Sequence, residues 1–366
     1  MSRKFHVTSI DIFDTLMAKG RKIGAHGLID MAKQKYILVS QNEERQKLAN
    51  YVSQLPFDHD DIVNLYEIIE QDYRREKITT KQIKKALTYD QIHNSVEALS
   101  TQLANIGEKI NILTNPNSPT LIIEYEYKDI DYGKATMLQE VIRKDRIEFT
   151  HNIIETNIRT AANEKCKELI QKIIQEIERA ENENLDVDEI ELANVADGKK
   201  RNDFFFALIN SIADLQLDDV SGVKISRFGG APIDEEHESD NGEEVLPTPE
   251  LAGFIREVAI KGKALLSQKE YIDFVDKGFF ISNLTWKSLD IACVPNQLVE
   301  FEAGFSDPQD CKGFQYAVKG AYTFKKENST FSTTRKKLSE PEKISYKSKL
   351  EEAARFSKQE VTNDKS

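Results

Sequence analysis

The chain has 366 residues, enough for two or three domains and for a core that needs no disulfide or structural metal. Its 50 Lys and Arg stand against 62 Asp and Glu, and the net charge of -12 excludes nucleic-acid binding by the surface as a whole. With 39% hydrophobic and 31% charged residues it is not a fully disordered chain, and no apolar run is long enough to span a bilayer.

Cys166, Cys293 and Cys311 lie far apart with no C-x-x-C pair, which fits a reducing compartment and a cytoplasmic protein. The first residues lead into an alternating segment and not into a secretory signal. The frequent Ile, Lys, Asn and Glu match the usage of an AT-rich bacterial or phage genome.

Residues 5–13 alternate and are β-branched, which predicts a strand, and Tyr36-Ile37-Leu38-Val39 predicts a second. Ile62, Leu65, Ile68 and Ile69 recur at helical spacing over 60–75, behind Asp58, Asp60 and Asp61 at the positive helix end. Thr79 or Thr80 caps a further helix carrying Ile83 and Leu87. Apolar runs at 110–113 and 121–125 flank Asn115-Pro116-Asn117-Ser118-Pro119 and predict an antiparallel hairpin.

Residues 136–180 contain no Pro or Gly. Ile154, Ile158, Ala162, Cys166, Leu169, Ile173 and Ile177 are spaced 4, 4, 4, 3, 4 and 4, one apolar stripe on a helix of about 45 residues. Such a helix pairs with another as a coiled coil, between chains or, broken once near His151-Asn152, within its own domain. Asn202 starts a buried helix through Phe204, Phe205 and Phe206, and Val223 to Phe228 reads as a strand. Residues 229–250 open with Gly-Gly-Ala-Pro, are dense in Asp and Glu, and read as a linker. Beyond it, 252–258 form a short helix or strand entry. Alternation through Tyr271, Phe274, Phe279, Ile281, Leu284 and Trp286, then at 299–302 and 314–318, predicts antiparallel strands. From Lys325 onward eleven basic residues face seven acidic ones, with a helix from Pro341 and a polar end.

The expected fold is therefore α+β: an N-terminal α/β segment with a hairpin (1–135), a long central helix and helical middle (136–228), an acidic linker (229–250), a small antiparallel β domain (251–325) and a basic, partly disordered tail (326–366).

Among motifs with chemistry, Ser9-Ile10-Asp11-Ile12-Phe13-Asp14-Thr15-Leu16 resembles the first motif of the haloacid dehalogenase-like hydrolases. The resemblance implies Asp11 as nucleophile at a strand end, Thr15 behind it, Thr114 from the second motif, an acidic metal motif near Asp197 and Asp203, and bound Mg²⁺. Phe13 stands where phosphatases of that family carry an acid. Glu126-Tyr127-Lys128 is the Glu-x-Lys pattern of one nuclease metal site, and Asp58-His59-Asp60-Asp61 contains a His-Asp pair found in metal phosphohydrolases. There is no phosphate-binding glycine loop and no H-E-x-x-H or G-x-S-x-G.

The leading expectation is a soluble, non-catalytic, self-associating interaction or accessory protein, with no cofactor, no metal and no membrane contact, and with a place in a larger assembly. Its interface is the stripe Ile154, Ile158, Leu169, Ile173 and Ile177. Replacing Ile158 and Ile173 by Asp then dissociates an oligomer of intact folds. A Mg²⁺-dependent phosphohydrolase at Asp11 is the alternative. The third reading is a nucleic-acid-associated protein using Lys199, Lys200, Arg201, Arg335, Lys336 and Lys337.

Overall fold

The computed structural model describes residues 6–20, 22–70, 77–114, 120–227, 276, 278–325 and 330–363. In chain order they form α1 (Ser9–Ala18), α2 (Ala25–Gln34), α3 (Arg45–Ser53), α4 (His59–Glu70), β1 (Ile78–Ile83), α5 (Tyr89–Asn105), β2 (Lys109–Ile112), β3 (Thr120–Ile130), a 3-10 turn (Thr136–Leu138), β4 (Glu140–His151), β5 (Thr156–Ala161), α6 (Glu164–Glu181), β6 (Val187–Glu189), α7 (Gly198–Asn210), β7 (Leu215–Arg227), β8 (Phe279–Asp290), β9 (Gln297–Asp307), β10 (Lys312–Lys325), β11 (Thr330–Phe331) and α8 (Glu340–Asn363). The linker at 229–250, the element at 252–258, and Tyr271 and Phe274 lie outside the described residues.

This architecture corrects the expected fold class. The strands form one eleven-stranded antiparallel sheet in the order β2-β3-β4-β5-β1-β10-β9-β8-β7, with β6 paired to β1 and β11 to β10. The predicted 45-residue helix does not exist: 136–180 contains the 3-10 turn, two strands, and α6 from Glu164. The C-terminal strands are not a small sheet of their own either, because Ile78 of β1 pairs with Tyr316 of β10. The β1 stretch had been expected to be a helix capped by Thr79 or Thr80.

Residues 9–18 are helical where a strand was expected. Thr8 is the N-cap of α1, and its hydroxyl accepts from the Asp11 amide while Asp11 Oδ2 accepts from the Thr8 amide. That reciprocal capping box satisfies two helix-end donors. Ile12 and Leu16, four apart, then share the buried face. Local β-propensity loses to the cap and to this packing. Residues 36–39 are likewise not a strand. Ile37 and Val39 pack on the core while Tyr36 and Leu38 point out.

The chain divides into two compact units. One comprises Met1–Arg74, Thr88–Ile147 and Leu169–Asn182, the other Arg75–Leu87, Glu148–Glu168 and Glu183–Ser366. In the first, α1 to α4 bury Ile12, Leu16, Leu28, Leu48, Val52 and Leu65 in one core together with Met137 and Leu138 of the 3-10 turn. Also in this unit, β2 and β3 pair antiparallel with Ile110 opposite Tyr125. Leu121, Ile123, Tyr125 and Tyr127 alternate inward along β3.

In the second unit, α7 and α8 cover one sheet face. Trp286, Phe301, Phe305, Phe314 and Tyr316 form its floor, with Phe204 and Phe205 of α7 and Leu350 and Ala354 of α8 packed on them. The Phe204 ring meets Phe305 and Phe314 at 5.7 and 5.9 Å. Gln297, Tyr346 and Asp290 tie the start of α8 down, Tyr346 donating to Asp290 at 2.6 Å and Gln297 to Tyr346 at 2.8 Å. Its end is held by Lys358, which donates to Asp188 at 2.6 Å. The last part of the chain is thus a structural helix.

Glu300 and Glu302, the alternate positions of β9, lie on the opposite face. Lys77 and Lys319 both reach Glu302, at 2.7 and 2.8 Å. Burial alone raises the pKa of this carboxyl, but the two lysine hydrogen bonds outweigh it and hold the value at about 2. A depressed carboxyl stabilises the fold above its unfolded value of 4.5 and stops doing so as pH falls toward 2. Acid unfolding of the native chain is expected to steepen in that window. Glu302→Gln should flatten it by about 2 kcal/mol across the same range, which urea titrations at stepped pH will measure. Equal pH slopes in the two proteins would contradict the assignment.

Candidate functional site

The N-terminal helical unit carries a cleft of about 460 Å³, within the range of ligand and side-chain pockets. Ile23, Val52 and Leu65 form its buried floor, and Met31, Leu55 and Phe57 its half-buried walls. Gln34 and Asn64 are exposed at its rim. Lys35 closes one side, its ammonium 5.9 Å from the Phe57 ring centre and donating to Asp61. Asp61 also accepts from the Asp58 amide at 2.9 Å, and the Asp58 carboxylate accepts from the Asp61 amide at 2.9 Å. Burial works to raise the Asp61 pKa, yet Lys35 and the Asp58 amide leave it below the usual carboxylate value. The acidic run at 58–61 thus starts α4 and anchors Lys35, with Asp58 and Asp61 bonded to each other.

Tyr36 follows this rim directly. Helix α2 ends in a Schellman turn: the Ile37 amide bonds to the Ala32 carbonyl at 3.0 Å and the Tyr36 amide to the Lys33 carbonyl at 2.8 Å. That geometry places Tyr36 at φ 61, the left-handed position that usually belongs to Gly. The Tyr36 side chain is 98% exposed and that of Leu38 is 89% exposed. A bulky aromatic here costs about 1 kcal/mol against Gly and gains no packing inside the chain. Strain kept at an exposed aromatic beside a cleft makes Tyr36 a candidate functional position.

The sequence-predicted site residues stand elsewhere. Asp11 is on a helix, bonded to Thr8 in the cap, whereas the hydrolase resemblance requires a strand end. Thr15 is fully buried one turn on, and its hydroxyl has no hydrogen-bond partner. Thr114 follows β2 and accepts from the Ile122 amide at 3.0 Å. Asp197 caps α7 through the Lys199 amide at 2.8 Å and belongs to the other unit. Glu126 pairs with Lys144 at 3.2 Å and Lys109 at 3.4 Å, which lower its pKa, and Lys128 pairs with Glu140 at 2.6 Å. Among the described residues no three His, Cys, Asp or Glu side chains gather to hold a metal ion.

The stripe residues do not share one helix. Ile154 is exposed in the β4–β5 turn and Ile158 is buried in β5. Leu169, Ile173 and Ile177 are buried on α6. Ile158 and Ile173 are wholly enclosed by their own chain, so Asp at either position would disrupt the core and could not report on an oligomer.

Nor do the basic residues form a surface patch as a set. Arg201 is buried, donates to the Val195 carbonyl at 2.8 Å and stacks 4.5 Å from the Phe280 ring centre. Arg335 donates to Glu300 at 3.2 Å. Lys336 pairs its backbone with Ala321, and Lys199, Lys200 and Lys337 complete the two clusters. Burial, with Asp290 adding to it at Cys293, pushes both the Cys293 and Cys311 thiols up, that of Cys311 to about 12. Protonated thiols are poor nucleophiles.

The cleft and its strained rim left a weak signal in sequence: an apolar run, Tyr36 to Val39, directly after a basic helix end. Compared with models of known protein families and with curated proteins, the chain matches none. No helix among the described residues is long and apolar enough to cross a membrane.

Proposed function

We propose that the chain is a non-catalytic, cytoplasmic interaction protein that works by binding another protein through its N-terminal helical unit. The observation that carries this reading is Tyr36, held in a left-handed backbone conformation and almost fully exposed beside an apolar cleft. Exposed aromatics of this kind are common anchors of protein interfaces. The ion pair between Lys35 and Asp61 supports the reading, because it fixes the rim in shape before a partner arrives.

The test is photo-crosslinking in the native cell with benzoylphenylalanine in place of Tyr36. It retains an aromatic ring at the position and reacts with what touches it. Protein adducts from position 36, absent from the exposed control position Glu97 on α5, are expected. A chain that gives none from position 36 under irradiation that labels a known complex would overturn the reading.

A further inference from the structure

Lys347 lies on α8, half-buried in the second unit, about one helical turn before Glu351 and on the same face. Its charged surroundings are Glu148 of β4, Arg159 of β5, and Glu340 and Glu351 of α8 itself. Arg159 has already taken two of these carboxylates. It donates twice to Glu351, at 2.7 and 2.8 Å, and once to Glu148 at 3.1 Å. It also donates to Ser348, the residue next to Lys347, at 3.0 Å. The Tyr316 hydroxyl donates to Glu351 as well. Among the described residues Lys347 is left with no ion pair of its own.

An amine withdrawn from water, beside a guanidinium and with no carboxylate bonded to it, holds its extra proton weakly, and the free amine is the nucleophile. Burial is the largest influence on Lys347 and lowers its pKa. Arg159 acts in the same direction, and the pulls of Glu148, Glu340 and Glu351 do not restore the ordinary value. Lys349, two residues on, is also half-buried but donates to Asp214 at 2.8 Å.

We propose that Lys347 is a site of acylation, its amine taking the acyl group of a small activated donor, an acyl phosphate or an acyl thioester. This stands apart from the interaction reading of the N-terminal unit. The nitrogen attacks the acyl carbon and a C–N bond forms. The bond from that carbon to the phosphate oxygen or to sulfur breaks, and the amine proton leaves with the phosphate or the thiol. The product is a neutral amide, which burial favours over an ammonium ion.

The experiment treats the full chain with acetyl phosphate and, separately, with the acetyl thioester of coenzyme A, and follows each lysine by peptide mass spectrometry. Lys347 is expected to gain an acetyl group about tenfold faster than Lys349 in the folded chain, and at the same rate as Lys349 in urea. Glu351→Leu combined with Arg159→Met removes the guanidinium and frees Glu148 for Lys347. The preference should then disappear while a melting curve shows the fold retained. Labelling by one reagent alone identifies that donor class, and labelling by both supports the shared chemistry. Failure of both reagents at Lys347, or equal rates at Lys347 and Lys349 in the folded chain, overturns the proposal. So does a preference that persists in urea, which would belong to the local sequence, or one that survives in the double variant, which would take the activation away from Arg159.

Discussion

Replacing Glu351 by Ala should cost about 3–5 kcal/mol, the loss expected when one partner is removed from a buried ion pair. Glu351, on α8, receives two bonds from Arg159 of β5, at 2.7 and 2.8 Å, and a third from the Tyr316 hydroxyl. Arg159 also donates to Glu148 at 3.1 Å and to Ser348 at 3.0 Å. Burial acts against the guanidinium charge, and Glu351 and Glu148 outweigh it, so Arg159 stays charged. Burial and the Glu351 charge keep the Tyr316 phenol protonated as a donor. Without Glu351, the charge of Arg159 is left with one carboxylate and a hydroxyl. Glu351→Leu combined with Arg159→Met removes both charges and should recover most of the loss, because the pair stabilises little against apolar side chains of similar size. Urea unfolding of the native chain, Glu351→Leu, Arg159→Met and the double variant gives the cycle, with Glu351→Ala measured beside them. A loss below about 1 kcal/mol for Glu351→Ala would show that α8 is held by its apolar face alone.

The second large effect is at Gly304, where Ala should cost about 3 kcal/mol. Gly304 of β9 pairs with Asn283 of β8. A Cβ at Gly304 would lie 2.5 Å from Asn283 Nδ2, 2.7 Å from the Ser282 carbonyl oxygen and 2.8 Å from Asn283 Cα. The side-chain atom can rotate away, but the two backbone atoms move only if β8 moves. Asn283→Ala in the same chain should therefore rescue little. Gly24→Ala is the control, since nothing lies within 4 Å of its Cβ position. Gly24 is the N-cap of α2, where Ala is less favoured than Gly, so the change should cost at most about 1 kcal/mol. Comparable midpoints for the two glycine variants would mean that the strands adjust without loss.

The legible part of the fold was the part with an unambiguous period. Tyr125 and Tyr127 alternate inward on β3, and Leu284, Trp286 and Phe301 do so on β8 and β9, as alternation in sequence implies. The stripe from Ile154 to Ile177 misled for a definable reason. A spacing of four is close to one helical turn, but it is also two strand repeats. Ile154, Ile158 and Ala162 therefore satisfy either period. The step of three from Cys166 to Leu169 is specific to a helix, and it falls inside α6. At the N-terminus, alternation over residues 5–10 concealed the Thr8 and Asp11 cap. Arg335-Lys336-Lys337 looked like part of a solvated tail because sequence gives no hint that Glu300 waits for Arg335 across the sheet. The strained turn at Tyr36 is a property of backbone conformation, and an apolar run with no glycine gave no reason to expect it.

The place of β1 in the sheet has a consequence for how the chain is made. β1 lies between β5 and β10, and the Thr79 hydroxyl bonds to the Phe314 carbonyl across a sequence separation of 235 residues. During synthesis α1 to α4 can begin to pack as they emerge, and their core closes once Met137 and Leu138 arrive. β1 and β5 pair later, β6 then covers the other edge of β1 at Lys81–Ile83, and the part of that edge at Ile78 stays open until β10 has been translated. The cover supplied by α8 arrives later still, after β10. Contacts of such long range make folding slow and leave an unpaired strand edge exposed in the nascent chain. Production in cells should thus depend on the rate of translation through residues 162–311 and on whatever shields a strand edge at the ribosome, more than on the stability of the finished fold.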